Sequence, residues 1–398
     1  MLNKNSVGFI LLLAALVAIP PLSTDVGLPA FGATAASFHV PTASVALTLS
    51  FFMLGFAVGP LFYGPASERY GRKPILLGGL ILYFLTSILC TLTPSFLILL
   101  FSRLLQGFAA SAGSVLAIAC IRDLFEGDAA RRRLSYTMMI NGLMPLTAPT
   151  LGAIILALGN WRSIYGLMVV SGFLLMAGVF FGQPESLRRK NPNALKPSGL
   201  IAGYKAVLRH PVSFRASLIN AMSFGTMFAF ISGSPILLMQ VMHLPAAQFA
   251  LYFAIPVVGT IAGTFGGNLM QRRSITSEQI LTFGLILMTG ATLILLLLNI
   301  FHVYAIVLVI GLIWLSNCAM GMIGPCASYA AVQYLPQLAG QASAILSSTQ
   351  MVIGALSSSL VALLFAWVGP SAMAAEMFGF AALAAILFFT RPNAPEHA

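Results

Sequence analysis

Long apolar runs follow one another along this chain with only short polar breaks, and that succession restricts its fold more than any other feature. A helix needs about 20 mainly apolar residues to cross the hydrocarbon core of a bilayer. Twelve runs meet that length, at approximately 7–31, 43–64, 75–93, 95–121, 134–158, 161–182, 213–240, 246–269, 278–300, 303–327, 341–367 and 370–390. Inside hydrocarbon every backbone N–H and C=O must be paired, so only helices or a closed barrel can span it. The runs lack the alternation and turn spacing of barrel strands. With 59% apolar and 7% charged residues, a soluble globular fold is excluded. The expectation is an all-α membrane protein with twelve transmembrane helices.

Basic residues set the orientation, because Lys and Arg are retained in cytoplasmic loops. With both termini cytoplasmic, the inner set is Lys4, Arg69, Arg72, Lys73, Arg122, Arg131, Arg132, Arg133, Arg188, Arg189, Lys190, Lys196, Lys205, Arg209, Arg215, Arg272, Arg273 and Arg391, which is 18 of the 20. Arg103 lies inside a run and Arg162 in a short outer loop. Topology thus accounts for the net charge of +11. A nucleic-acid partner is excluded, since the basic residues are scattered over thin loops with no stacking surface. A cleaved signal peptide is the weaker reading of the first run, which is long and holds Asp25 and Pro29.

The segment 184–212 is polar, basic and interrupted by Pro184, Pro192, Pro197 and Pro211, as expected of a cytoplasmic linker. It divides the chain into an N-terminal six-helix bundle, 1–183, and a C-terminal one, 213–398. Gly55, Gly59 and Arg69 recur as Gly259, Gly263 and Arg273 at one offset of 204 residues. With the linker, that echo favours two duplicated, pseudo-symmetric halves.

Asp25 is a carboxylate within the first run, and an ionisable group in hydrocarbon is a functional hypothesis by default. Its expected partner is Arg103, the only basic residue deep in another run. At about 1.5 Å per residue both lie on the order of 10 Å below the outer surface. A fixed ion pair joining two helices would be a weak source of stability, which favours a working role. Burial opposes a carboxylate's charge and a neighbouring guanidinium supports it, so a permanent contact would bar proton loading. An intermittent contact would let Asp25 take a proton from outside and release it inside. One proton is worth about 2.3 kcal/mol per 100 mV and sustains substrate gradients on the order of a hundredfold. A single coupled proton is expected, because the offset positions hold Ala229 and Val307.

The loop after the second run reads Gly64, Pro65, Ala66, Ser67, Glu68, Arg69, Tyr70, Gly71, Arg72, Lys73, Pro74. It resembles the signature loop of the major facilitator superfamily, with Glu68 where Asp is more usual. The resemblance implies a conformational latch built from Gly64, Glu68, Arg69, Gly71 and Arg72, in which Glu68 and Arg72 pair with neighbouring helix ends when the cytoplasmic side is closed. Arg103 to Gly107 resembles the superfamily's conserved-arginine motif, and Gly142, Pro145, Pro149 and Gly152 resemble the fifth-span pattern of its drug:proton antiporters. With Ser23 to Phe31, the chain resembles the twelve-span bicyclomycin/chloramphenicol-resistance (Bcr/CflA-type) family. Gly27 stands where that family has an aromatic residue. The resemblance implies proton-coupled efflux of small amphipathic drug-like substrates across a bacterial inner membrane, by a monomer without a cofactor.

Polarity and aromatic character nominate Asn141, Phe224, Met227, Tyr252, Asn317 and Gln350 as cavity residues. Plain helix packing is the competing reading for each. Glu376, about two turns into the last run, is expected to be interfacial or hydrogen-bonded near the outer end, with a second protonation role as the lesser reading. His243 and His302 fall in outer turns and are expected to be solvated. Cys90, Cys120, Cys318 and Cys326 have no metal-ligand spacing and are expected to be small packing residues without a disulfide. An enzyme is disfavoured by the lack of any catalytic set or metal-spaced cluster, and a nucleotide-driven pump by the lack of a phosphate loop. A channel would need a charged lining ring. A proton-coupled metabolite symporter or a specific metabolite exporter shares the same features and remains the alternative.

Overall fold

The computed structural model describes residues 6–187, 189–303 and 305–390. Lys4, Arg188, Arg391 and both termini therefore lie outside the described residues. The described chain is helical, and twelve helices are long and apolar enough to cross a membrane. By contact the chain divides into two units, Met1–Gly203 with Pro245–Leu251, and Tyr204–Leu244 with Tyr252–Ala398.

In the first unit α1 (Val7–Asp25) is followed by a 3-10 turn (Leu28–Ala30) and α2 (Phe31–Phe38), which together form one span, Val7–Phe38. Pro29 lacks the N–H that would close the next turn onto the carbonyl of Asp25, so the α-helix stops at the acid. The span ends at Phe38, beyond the expected residue 31, which places Asp25 farther from the outer end than the sequence suggests. A short α3 (Thr42–Val45) leads into α4 (Leu47–Tyr70), then α5 (Arg72–Leu92), α6 (Phe96–Leu124), α7 (Gly127–Leu158) and α8 (Trp161–Gly182). Asn160 caps α8 by accepting at Oδ1 from Arg162 N and Ser163 N, while Asn160 N donates to Ser163 Oγ.

The linker segment is not all loop, since α9 (Pro197–Arg209) forms within it. The second unit holds α10 (Pro211–Ser234), which runs into a π-helical stretch (Pro235–Val241). There follow α11 (Ala246–Arg272), α12 (Ser277–Ile300), α13 (Ile306–Val332), α14 (Ala339–Val368) and α15 (Ser371–Phe389). Several helices outrun their apolar stretches on the basic side. α7 starts at Gly127 rather than 134, with Asp128 in its first turn, where an anion suits the helix dipole.

Glycines set how closely the helices pack. A Cβ on Gly55 of α4 would sit 1.8 Å from the Leu104 carbonyl oxygen of α6, and one on Gly107 of α6 would sit 1.8 Å from the Phe52 carbonyl oxygen of α4. The second unit repeats this seam between α11 and α13. There a Cβ on Gly263 would meet the Cys318 carbonyl oxygen at 1.8 Å and one on Gly321 the Thr260 carbonyl oxygen at 2.1 Å. The sequence echo at offset 204 thus corresponds to the same small-residue contact in each unit.

Candidate functional site

Arg103 is 1% exposed and stands at the centre of a polar node in the first unit. Its Nη1 donates to Gln106 Oε1 (2.6 Å), its Nη2 to the Ser23 carbonyl (2.9 Å) and its Nε to the Thr48 carbonyl (3.3 Å). The Phe52 ring lies 4.4 Å from the guanidinium carbon and the Tyr165 ring 5.8 Å. Partial charges of carbonyls and ring faces, rather than an anion, thus surround the cation. Gln106 passes the network on, donating from Nε2 to Ser87 Oγ at 2.7 Å. Ser23 Oγ and the Tyr83 hydroxyl share a 2.7 Å hydrogen bond. One side chain therefore links α1, α4, α6 and, through Tyr165, α8.

Asp25 is 2% exposed, and its Oδ1 accepts from Thr24 Oγ1 at 2.8 Å. The expected contact with Arg103 is not formed. The guanidinium reaches the same helix two residues earlier, at the Ser23 carbonyl, and its remaining donors turn to Gln106 and Thr48. A small cavity beside Arg103 is lined by Ser23, Thr24, Phe31, Thr48 and Tyr165 among others, and Asp25 does not line it. α7 packs against the residue that follows the acid, because a Cβ on Gly152 would meet the Val26 carbonyl oxygen at 2.0 Å. Pro149, one turn before, is buried, Pro145 is half-buried, and Gly142 faces open space. Of that motif, Gly152 is the member the packing around Asp25 requires.

The signature loop is tied down within the first unit. Arg72 Nε donates to Asp123 Oδ2 of α6 (2.9 Å) and its Nη1 to Ser67 Oγ (2.6 Å). Glu185 accepts from the backbone N–H groups of Arg72 (2.9 Å) and Lys73 (3.2 Å), a carboxylate at the N-terminus of α5. Gly71 has φ +115°, and a Cβ there would also lie 2.6 Å from Glu185 Oε2. The expectation for Glu68 needs correction. Its side chain is exposed and its carbonyl accepts from Asn191 N, while the acid paired with Arg72 is Asp123. Chain direction explains this, since Glu68 lies in the last turn of α4 facing outward. Arg69 is exposed beside Tyr70, and Gly64 meets open space.

The cavity candidates fall on five helices, α7, α10, α11, α13 and α14. Asn141 of α7 is half-buried in the first unit. In the second unit Phe224 and Met227 are half-buried on α10, with Phe224 against Phe228 at 4.8 Å, and Tyr252 and Gln350 are half-buried on α11 and α14. Asn317 is buried, donating to the Ile313 carbonyl and accepting from Thr260 at 3.5 Å, so it joins α13 to α11. Glu376 departs from expectation, being 5% exposed with no hydrogen-bond donor at either oxygen among the described residues. His243 and His302 are exposed, and the four cysteines are free.

Sequence reading overlooked Tyr83 and Glu185. The signals were present, as a tyrosine inside the third apolar run and one of only nine acidic residues, placed right after the sixth.

The chain is 30% identical over 363 residues to the bicyclomycin resistance protein homolog of Haemophilus influenzae, covering 90% of each. It is 29% identical over 395 residues to an uncharacterized MFS-type transporter, YdgK, of Bacillus subtilis (97% and 96% covered). Multidrug resistance protein D of Escherichia coli is 27% identical over 370 residues (92% and 91%). Among solved structures, a D-xylose–proton symporter superposes with TM-score 0.72 at 16% identity, covering 97% of this chain and 98% of that one. A bacterial homologue of the lysosomal transporter Spinster gives 0.71 at 14%, covering 96% and 95%. Matched to the family's profile over residues 7–358, with twelve spans and this fold, the chain belongs to the Major Facilitator Superfamily.

Proposed function

We propose that this chain is a proton-coupled antiporter that exports small amphipathic, drug-like molecules across a bacterial inner membrane. It works as a monomer with both termini cytoplasmic and needs no cofactor beyond the coupling proton. The observation that carries this reading is the separation of two buried opposite charges. Arg103 bonds α1 at the Ser23 carbonyl, two residues from Asp25, yet the guanidinium is satisfied by Ser23, Thr48 and Gln106 while the carboxyl accepts from Thr24. A carboxyl without a fixed counter-ion can be neutralised by a proton. When the proton leaves, Arg103 is the nearby cation to which the carboxylate can turn, and the acid sits where α1 breaks. Alternating access between the halves 1–183 and 213–398, joined by 184–212, then carries proton and substrate in opposite directions. The drug-resistance names of the relatives support efflux over uptake.

The test uses inside-out vesicles energised to an acidic lumen, together with growth inhibition across antibiotics in a pump-deficient host. Substrate addition should alkalinise the lumen in wild type and leave it unchanged in Asp25→Asn, and the variant should lose protection. Substrate-driven acidification would instead identify a symporter. Wild-type pH-driven transport in Asp25→Asn would overturn the role given to this acid.

A further inference from the structure

Glu376 lies in the sixth position of α15, about 8 Å along the helix from its first residue. It is 5% exposed, and neither carboxyl oxygen has a donor among the described residues. Met377 beside it and Met373 and Phe380 one turn away are all buried. Ser357 of α14 stands beside it, but the serine hydroxyl donates to the Gly225 carbonyl of α10 at 2.9 Å. Burying a polar group without a partner is costly, and burying an unpaired charge far more so.

The helices packed against α15 are α10, α12 and α14. α14 has no ionisable residue, α10 has only Arg215 and α12 only Glu278. Arg215 is engaged at the other end of α15, with Nε on the Leu387 carbonyl and Nη2 on Thr390 Oγ1. Leu387 is eleven residues from Glu376, about 16 Å along the helix. Glu278 is in the first turn of α12, eleven residues before Thr289, which meets the Ala381 carbonyl, so it too lies toward that far end. No charge of either sign faces Glu376 from any packed helix.

A structural acid would be expected to cap a helix, bridge two of them or reach an interface, and Glu376 does none of these. We propose that Glu376 is a second exchangeable proton site, placed in the unit that the offset comparison with Asp25 leaves without an acid. The group holds its proton while enclosed, and gives it up when a rearrangement brings water or a cationic substrate group to it. Two carboxyls, Asp25 and Glu376, would then be available for coupling. This deepens the antiport reading and rests on it.

The experiment reads Glu376 directly on purified full-length protein in detergent, without substrate. Dicyclohexylcarbodiimide, which modifies protonated carboxyls in apolar surroundings, is applied from mildly acidic to alkaline pH, and modified peptides are quantified by mass spectrometry. Infrared titration of the carboxyl C=O band is run in parallel on wild type, Glu376→Gln and Asp25→Asn. The expected result is labelling at Glu376 that falls several-fold and reversibly as pH rises and persists in Asp25→Asn, with an infrared component absent from Glu376→Gln. Absence of the label, or labelling and a band that do not change with pH, in a protein whose Glu376→Gln variant melts like wild type, would overturn the proposal. Failure of the antiport reading shows separately, in the vesicle assay with Asp25→Asn.

Discussion

Replacing Gly107 by Ala adds one methyl group to α6 beside the polar node. The new Cβ would lie 1.8 Å from the Phe52 carbonyl oxygen and 2.9 Å from its Cα, both backbone atoms of α4. An ordinary contact needs about 3.4 Å, so α4 and α6 must part by roughly 1.6 Å. The Arg103 Nε to Thr48 carbonyl bond, already 3.3 Å, crosses the same seam and would break. Overpacking costs about 1–3 kcal/mol, and losing a hydrogen bond to a charged group about 1.5–3 kcal/mol. Together the change is about 4 kcal/mol. At about 2–4 °C per kcal/mol for chains of a few hundred residues, Tm should fall by roughly 10 °C. Gly142→Ala is the control, because its Cβ meets nothing within 4 Å and Ala is the better helix former by about 0.5–1 kcal/mol. A thiol-reactive dye reports unfolding in detergent through the buried, free Cys90 and Cys120. If Gly107→Ala melts within a degree of wild type, or Gly142→Ala falls as far, the backbone contact does not have the role given to it here.

Gly71→Ala should destabilise by about 1–3 kcal/mol through its left-handed backbone, whereas Gly64→Ala, inside α4 with open space around it, should stabilise by about 0.5–1 kcal/mol; melting curves of the two separate the strained glycine from the open one. Asp123→Asn should weaken its bond to Arg72 and loosen Ser186, which donates to both Asp123 and Cys120. Alkylation of Cys120 should accelerate several-fold, and an unchanged rate would show that this cluster does not guard the thiol. Tyr83→Phe removes one buried hydrogen bond to Ser23, worth about 1 kcal/mol, and should shift Tm by only a few degrees while altering the pH profile of transport in vesicles. A wild-type profile would make Tyr83 a packing residue.

The twelve spans were legible in the sequence because bilayer thickness fixes how long an apolar run must be. Their ends were less so. α7 continues through Asp128 and the arginines that follow because hydrogen-bonded backbone does not stop at the hydrocarbon boundary, while hydropathy does. Asp25 and Arg103 each stood out as ions in apolar runs. Which acceptor the guanidinium chooses depends on the carbonyls of Ser23 and Thr48, and every residue has a carbonyl, so composition cannot mark them. Glu68 matched a motif position, whereas its outward face at the end of α4 is a matter of helical phase. Glu376 was visible as an acid, but its want of any donor is a property of α10, α12 and α14 packed around it.

The interruption of the first span has a mechanical consequence. With Pro29 supplying no amide to the Asp25 carbonyl, that stretch has one intrahelical bond fewer to hold it straight. The acid to which we assign coupling is thereby mounted on a joint, and Gly152 lets the α7 backbone sit directly against Val26 there. In the proposed coupling, bending at that joint is the motion that would re-aim the carboxyl from Thr24 toward the arginine.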